Sequence, residues 1–269
     1  MAMDIEIHRV AGDLMAVNSF VVVGRSGVVV IDAMLTIADA RKVHDAVLST
    51  GRPLAGVVIT HGHPDHYAGL KHVIGDADVP IIAAAAVSEI IRSDDTAKAK
   101  IVGPMMGDQW PAERIFPNRT AEPGATIDLG GVSLRMEDIG PAESRHDTIW
   151  HLDEDRVFAG DLAYSGMHAY LYDGMWDAWL AALTKVESEL KATATLYVGH
   201  GEPAGVELLA AQRAYIETFV DAVSHTLNLD ESARHDEVVT RMKKLVPGDD
   251  LLFLMELSIE PVADKLRTK

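Results

Sequence analysis

The chain is 269 residues long, 48% hydrophobic and 24% charged, a balance that suits an ordinary globular protein with one large domain or two small ones. Asp and Glu outnumber Lys and Arg 41 to 24, and the net charge of −17 repels phosphate backbones and argues against a nucleic-acid partner. With no cysteine in the sequence, disulfides, thiolate nucleophiles and thiolate metal ligands are excluded together.

In chain order, Phe20–Val23 and Val28–Ile31 read as two strands joined by the turn Gly24-Arg25-Ser26-Gly27. A helix follows, with Thr36 and Asp39 spaced as a capping box and Val43, Ala46 and Val47 on its buried face; Gly51 and Pro53 mark its end. The apolar run Gly56–Thr60 is a strand, followed by a helix from about Tyr67 to Ile74. Strand and helix recur at Val79–Ile82 and Val87–Arg92. The segment 101–111, rich in Gly and Pro and carrying Met105, Met106 and Trp110, reads as a loop fit to form an apolar substrate wall. Strands are expected around 127–129, 132–139, 148–151 and 157–158, then a helix over 173–190 and a strand running to His200. Beyond about residue 206, amphipathic patterns predict three helices, 206–224, 233–246 and 251–265, packed as an appendage on a single domain spanning 1–269. The longest apolar stretch, Val79 to Val87, is too short for a membrane span and carries Pro80. The acidic start, Met1 to Glu6, lacks the plan of a secretory leader, so a cytoplasmic protein is expected.

The most informative run is His61-Gly62-His63-Pro64-Asp65-His66, three imidazoles and a carboxylate directly behind an apolar strand. Alternation along the strand sends His61 and His63 the same way, and Asp65 and His66 come around the following turn. Such clustered nitrogen and oxygen donors on rigid backbone are what a metal site needs. A metal requires further ligands, and three later segments offer them: the polar loop Glu143–Thr148, with His146; the strand Val157–Asp161; and the strand Leu196–Gly201, with His200.

On these residues the chain resembles the metallo-β-lactamase superfamily of binuclear metal hydrolases, across about residues 20 to 205. The resemblance implies an α/β (α+β) fold, the four-layer αββα sandwich with a C-terminal helical appendage. It implies two divalent ions, zinc first, with iron or manganese fitting the same donors. His61, His63 and His146 would hold one ion, Asp65, His66 and His200 the other, and Asp161 would bridge them. The upstream strand ending in Asp32 also has a counterpart in the family, although Ala33-Met34 stands where glycine or proline commonly follows. The lack of cysteine excludes the β-lactamase subclass with a cysteine ligand.

Asp65 and Tyr164 are the catalytic candidates. Tyr164 follows Asp161 by three residues, the offset found in acyl-homoserine lactonases of the superfamily, where a tyrosine assists carbonyl polarisation. Asp147 and His168 read more readily as a loop residue and a hydrogen-bonded structural histidine. The expected activity is hydrolysis of a small lactone or ester by a metal-bridging hydroxide. A thioester of the glyoxalase II type, a β-lactam, or a non-hydrolytic diiron redox role stand as alternatives. The expected partner is a small-molecule substrate, with no membrane and no nucleic acid, and with room for a homo-oligomer.

Overall fold

Two six-stranded sheets account for the architecture of the computed structural model, which describes residues 5–13 and 15–268. Met1–Asp4, on which the reading of the chain's start partly rests, lie outside these residues. The first sheet comprises β1 (Glu6–Ala11), β2 (Asn18–Val23), β3 (Val28–Ile31), then β4 (Leu54–Val58), β5 (Ile81–Ala84) and β6 (Arg119–Ala121), in sequential order. Its first three strands are antiparallel and its last four parallel. Between them lie α1 (Ile37–Ser49), α2 (Pro64–Tyr67), α3 (Leu70–Ile74) and α4 (Ala85–Met106). The second sheet runs β7 (Thr126–Leu129), β8 (Val132–Gly140), β9 (Asp147–His151), β10 (Arg156–Tyr164), β11 (Thr195–His200) and β12 (Ala204–Gly205), with α5 (Trp176–Glu189) before β11. Then come α6 (Glu207–His225), α7 (Glu231–Leu245) and α8 (Leu252–Arg267).

Every residue of β2 and β3 is buried, so both strands are apolar except for Asn18 and Ser19, whose side chains hydrogen-bond backbone carbonyls. β8 faces the core on one side only and alternates buried Val132, Leu134 and Met136 with exposed Ser133 and Arg135. The sheets meet through Phe20, Phe158 and Tyr197, whose rings lie 5.2–5.5 Å apart. Helices cover the outer faces, giving the four-layer αββα arrangement, and α6 packs on β10 while α7 and α8 pack on α6. Thr36 caps α1 as expected, its Oγ1 accepting from Asp39 N at 3.1 Å, while Asp39 Oδ2 accepts from the Thr36 hydroxyl at 2.9 Å. Among the described residues, no helix is long and apolar enough to cross a membrane.

The segment 101–111 departs from its expected loop. Residues 101–106 complete α4, and only Gly107–Gln109 form a 3-10 turn. Pro104 sits in the last turn of α4, where its missing N–H costs one hydrogen bond that the helix end tolerates. The expected helix over 67–74 is likewise split in two at Ala68-Gly69. Gly69 cannot carry a side chain, because a Cβ there would lie 2.2 Å from the Ala33 carbonyl oxygen.

Candidate metal centre

The two sheets are stitched together at the mouth of β4. Thr148 donates to the Thr60 carbonyl through both its N–H and its hydroxyl, at 3.1 and 2.7 Å, and His61 bridges to Asp147. Val17 makes a similar bridge to His200 at the end of β11. The ends of β4, β10 and β11 thereby converge, and the side chains at those ends share one buried space.

His61, His63, Asp65, His66, Asp161 and His200 all reach that space, together with Glu143. Three compact donor groups form within it: His61, His63 and Glu143; His61, His66 and Asp161; and Asp65, His66 and His200, each with donor atoms within 4.8 Å of one another. Asp161 lies in the middle. Its Oδ1 is 3.3 Å from His66 Nε2, and its Oδ2 is 3.2 Å from His200 Nε2 and 3.9 Å from His61 Nε2. Asp65 Oδ2 is 3.3 Å from His200 Nε2.

Each imidazole is held from behind. His66 Nδ1 donates to Asp32 Oδ2 at 2.9 Å, and His200 Nδ1 to the Ala16 carbonyl at 3.1 Å. Thr60 Oγ1 gives its proton to Asp32 and therefore accepts from His61 Nδ1 at 3.0 Å. These contacts turn the Nε2 lone pairs of all three rings inward. His63 is oriented the other way, with Nε2 3.5 Å from Asp173 and Nδ1 2.9 Å from Glu143 Oε2. Asp32 organises much of this shell, since it also accepts from Thr60 N at 2.9 Å. Its φ of 60° and that of Met34, 64°, place backbone strain of about 1–3 kcal/mol each beside the site.

The donor set fits metal ions on two observations. His61 Nε2, His66 Nε2, His200 Nε2 and Asp161 Oδ1 are buried within ion-pair reach of one another yet make no well-aligned hydrogen bond, a concentration of under-satisfied atoms that a folded protein avoids unless something binds them. The space between them is kept clear by Gly199, where a Cβ would fall 2.0 Å from Asp161 Oδ1. The electrostatics agree. Burial opposes charge on His66 and His200, yet the Asp161 and Asp65 carboxylates raise both, His200 to about 10. Burial likewise works against His63, but Glu143 lifts it to about 10. Burial pushes Glu143 itself up to about 8. Burial also opposes ionisation of Asp161, but His200 and His66 hold it well below the usual carboxylate range. The carboxylates of the cluster thus favour a positive charge beside them, whether a proton on an imidazole or a metal ion.

One expected ligand is not brought in. His146 stands 20% exposed, with Nε2 3.0 Å from Asp138 Oδ2. Asp147 begins β9 with its carboxylate buried and accepts from the N–H and hydroxyl of Ser144 at 2.9 and 3.1 Å. That turn points Glu143 inward, while His146, the strand neighbour of an inward-facing residue, faces outward. The sequence marks this loop as polar without singling out its acid. Glutamate is as good an oxygen donor as any, but nothing in the spacing separates it from a solvated loop residue.

Tyr164 is at the site, its hydroxyl donating to Asp161 Oδ2 at 2.8 Å with Glu143 Oε1 3.3 Å away, its ring stacked on His200 at 4.9 Å. Burial and the neighbouring carboxylates hold its pKa well above the ordinary value, so it keeps its proton. His168 is fully buried, with Tyr215 Oη and the Gly248 carbonyl as partners, in keeping with a structural histidine. A cleft opens onto the cluster, lined at its inner end by His63, Asp65, Glu143, Asp161 and Tyr164. Its outer walls are Met15, Leu35 and the apolar faces of α4 and α8. Trp110 is elsewhere, packed on Gly103 and under the Arg114 guanidinium.

A seam between two sheets that gathers histidines and acids at strand ends defines a metal-binding α/β sandwich. Residues 12–200 match the profile of the metallo-beta-lactamase superfamily, and the chain belongs to that family. It is 28% identical over 162 residues to a hydroxyacylglutathione hydrolase from Shewanella halifaxensis, a match covering 60% of this chain and 52% of that protein. A 76-residue segment is 34% identical to an (R)-specific secondary-alkylsulfatase from a Pseudomonas species, covering 28% of this chain and 11% of that one. The chain thus spans about half the length, or less, of these curated relatives. A metallo-beta-lactamase family protein of Thermus thermophilus superposes with a TM-score of 0.69 at 17% identity, over 98% of this chain and 93% of that one, which shows the shared fold.

Proposed function

We propose that this protein is a metal-dependent hydrolase acting on a small lactone or ester with an apolar portion. The observation that carries it is the convergence of under-satisfied donor atoms at the inner end of an apolar-walled cleft. His61, His63 and Glu143 would hold one divalent ion, and Asp65, His66 and His200 a second, with Asp161 between them. The mixed imidazole and carboxylate set suits zinc. Bound ions of this kind supply a nucleophilic water near neutral pH and polarise the carbonyl under attack.

The chain's own groups do the rest. Asp32, Asp173 and Thr60 fix the ligand rings. Tyr164 keeps its proton, and its hydroxyl, which now donates to Asp161, would turn to developing oxyanion charge once Asp161 engages metal. Lys98 Nζ, anchored on the Gly62 carbonyl at 2.8 Å, brings the one Lys or Arg among the described residues lining the cleft, in position to orient a carbonyl or a neighbouring negative group. A thioester is the second reading, favoured by the match to hydroxyacylglutathione hydrolase. A single lysine is little cationic surface for the two carboxylates of a glutathione conjugate.

A panel of esters, lactones, thioesters, β-lactams and an alkyl sulfate, run at defined metal loading, tests the reading. A lactone or ester is expected to be turned over fastest. A thioester ahead by tenfold would install the second reading, and silence across the panel would end the hydrolase reading. On the preferred substrate, Tyr164→Phe is expected to slow turnover by one to two orders of magnitude with metal content unchanged, corresponding to about 1–3 kcal/mol for one oxyanion donor. An unaltered rate would leave the tyrosine a packing role.

A further inference from the structure

The cleft has two unlike ends, and one wall of its outer end, from α8, lies beyond the 12–200 family match. One wall is a single face of α4: Lys98, Ile101, Val102, Met105 and Met106 follow at helical spacing. The facing wall is α8, through Phe253, Leu254 and Leu257. Large apolar side chains normally avoid water, yet here Ile101 is 68% exposed, Met105 55%, Leu257 50% and Phe253 37%. All four line this one cleft, which is continuous with the donor cluster.

We infer that α8 is a specificity wall, and that it selects a substrate carrying an unbranched apolar chain laid between α4 and α8 with its scissile group at the cluster. This rests on the hydrolase reading and names the substrate class for it. The length follows from the helix. From Lys98 to Met105 is about 10 Å along α4, the reach of an extended chain of roughly eight carbons. Shorter chains leave Ile101, Met105 and Leu257 wet, and longer ones gain nothing once they pass the mouth. Because the walls are open on one side, each methylene gains about half of what full burial gives, about twofold in affinity.

The test is calorimetric titration of the metal-loaded protein with straight-chain carboxylates from butanoate to dodecanoate, beside the chain-length profile of kcat/KM for esters. Affinity is expected to rise about twofold per methylene and level off near eight carbons. Leu257→Asp and Ile101→Asp, both at exposed positions, are expected to weaken octanoate about tenfold and butanoate by less than twofold. Equal affinity along the series, no binding at all, or variants that weaken both ligands by the same factor would overturn the inference. So would a dimer in solution that Leu257→Asp dissociates, which would give the face to a second copy of the chain. Failure of the hydrolase reading looks different: the length dependence of binding persists while no ester is cleaved. Failure of this inference alone leaves turnover intact with no preference for chain length.

Discussion

Glu143→Gln is expected to cost at least about a hundredfold in metal affinity at the half of the site made with His61 and His63, while His146→Ala leaves metal binding within twofold. The contrast follows from geometry. The Glu143 carboxylate is wholly buried, 2.9 Å from His63 Nδ1 and 3.7 Å from His61 Nε2, and it is the only oxygen donor in that group of three. The His146 ring instead stands at the surface beside Asp138. Glutamine keeps the shape but loses the anionic donor, so turnover is expected to fall with the metal. The metal-free variant is expected to be less stable than the parent at neutral pH, because the substitution removes the carboxylate that lifts buried His63 to about 10. Metal analysis after dialysis, beside turnover and thermal unfolding, reads all three. If His146→Ala lost the metal and Glu143→Gln kept it, the loop would have to turn over in solution and the assignment would reverse.

Asp161→Ala is expected to reduce turnover by about three orders of magnitude or more, the scale on which loss of a central electrostatic group acts. The carboxylate lies within 3.2–3.9 Å of three of the cluster's imidazoles and accepts the Tyr164 hydroxyl, contacts that alanine cannot make. Asp161→Asn keeps the contacts to Tyr164 and to the space around Gly199 but not the charge. It should fold as the parent does and still be nearly inactive. Turnover within tenfold of the parent in both variants would mean that the chemistry does not pass through this cluster. Circular dichroism on the same samples separates a lost site from a lost fold.

Much of this was legible in the residues, and the exceptions have physical causes. The run 61–66 reads plainly because a strand followed by a tight turn leaves little freedom for where four polar side chains point. Asp161 and His200 read nearly as well, since each follows an apolar run and a glycine. Helix boundaries in the C-terminal part came within a few residues, Asp230 capping α7 by accepting from Ala233 N at 2.9 Å. The loop 143–147 did not read, because its direction is set by one carboxylate, Asp147, binding Ser144, and spacing alone does not reveal which side chain such a turn sends inward. The end of α4 is hidden in the sequence because Pro and Gly signal a break locally, whereas the helix runs through Pro104 to Met106. Short edge strands such as β6 and β12 carry too few residues to show a period. The role of α8 as a cleft wall depends on contacts between segments about 150 residues apart, which no local pattern encodes.

Anomalous diffraction from crystals of the zinc-loaded protein tests the central claim most directly. Two peaks are expected, about 3.5–4 Å apart, one against His61, His63 and Glu143, the other against Asp65, His66 and His200, with the Asp161 carboxylate between them. A single peak, or a metal held by His146 with Glu143 turned away, would contradict the account.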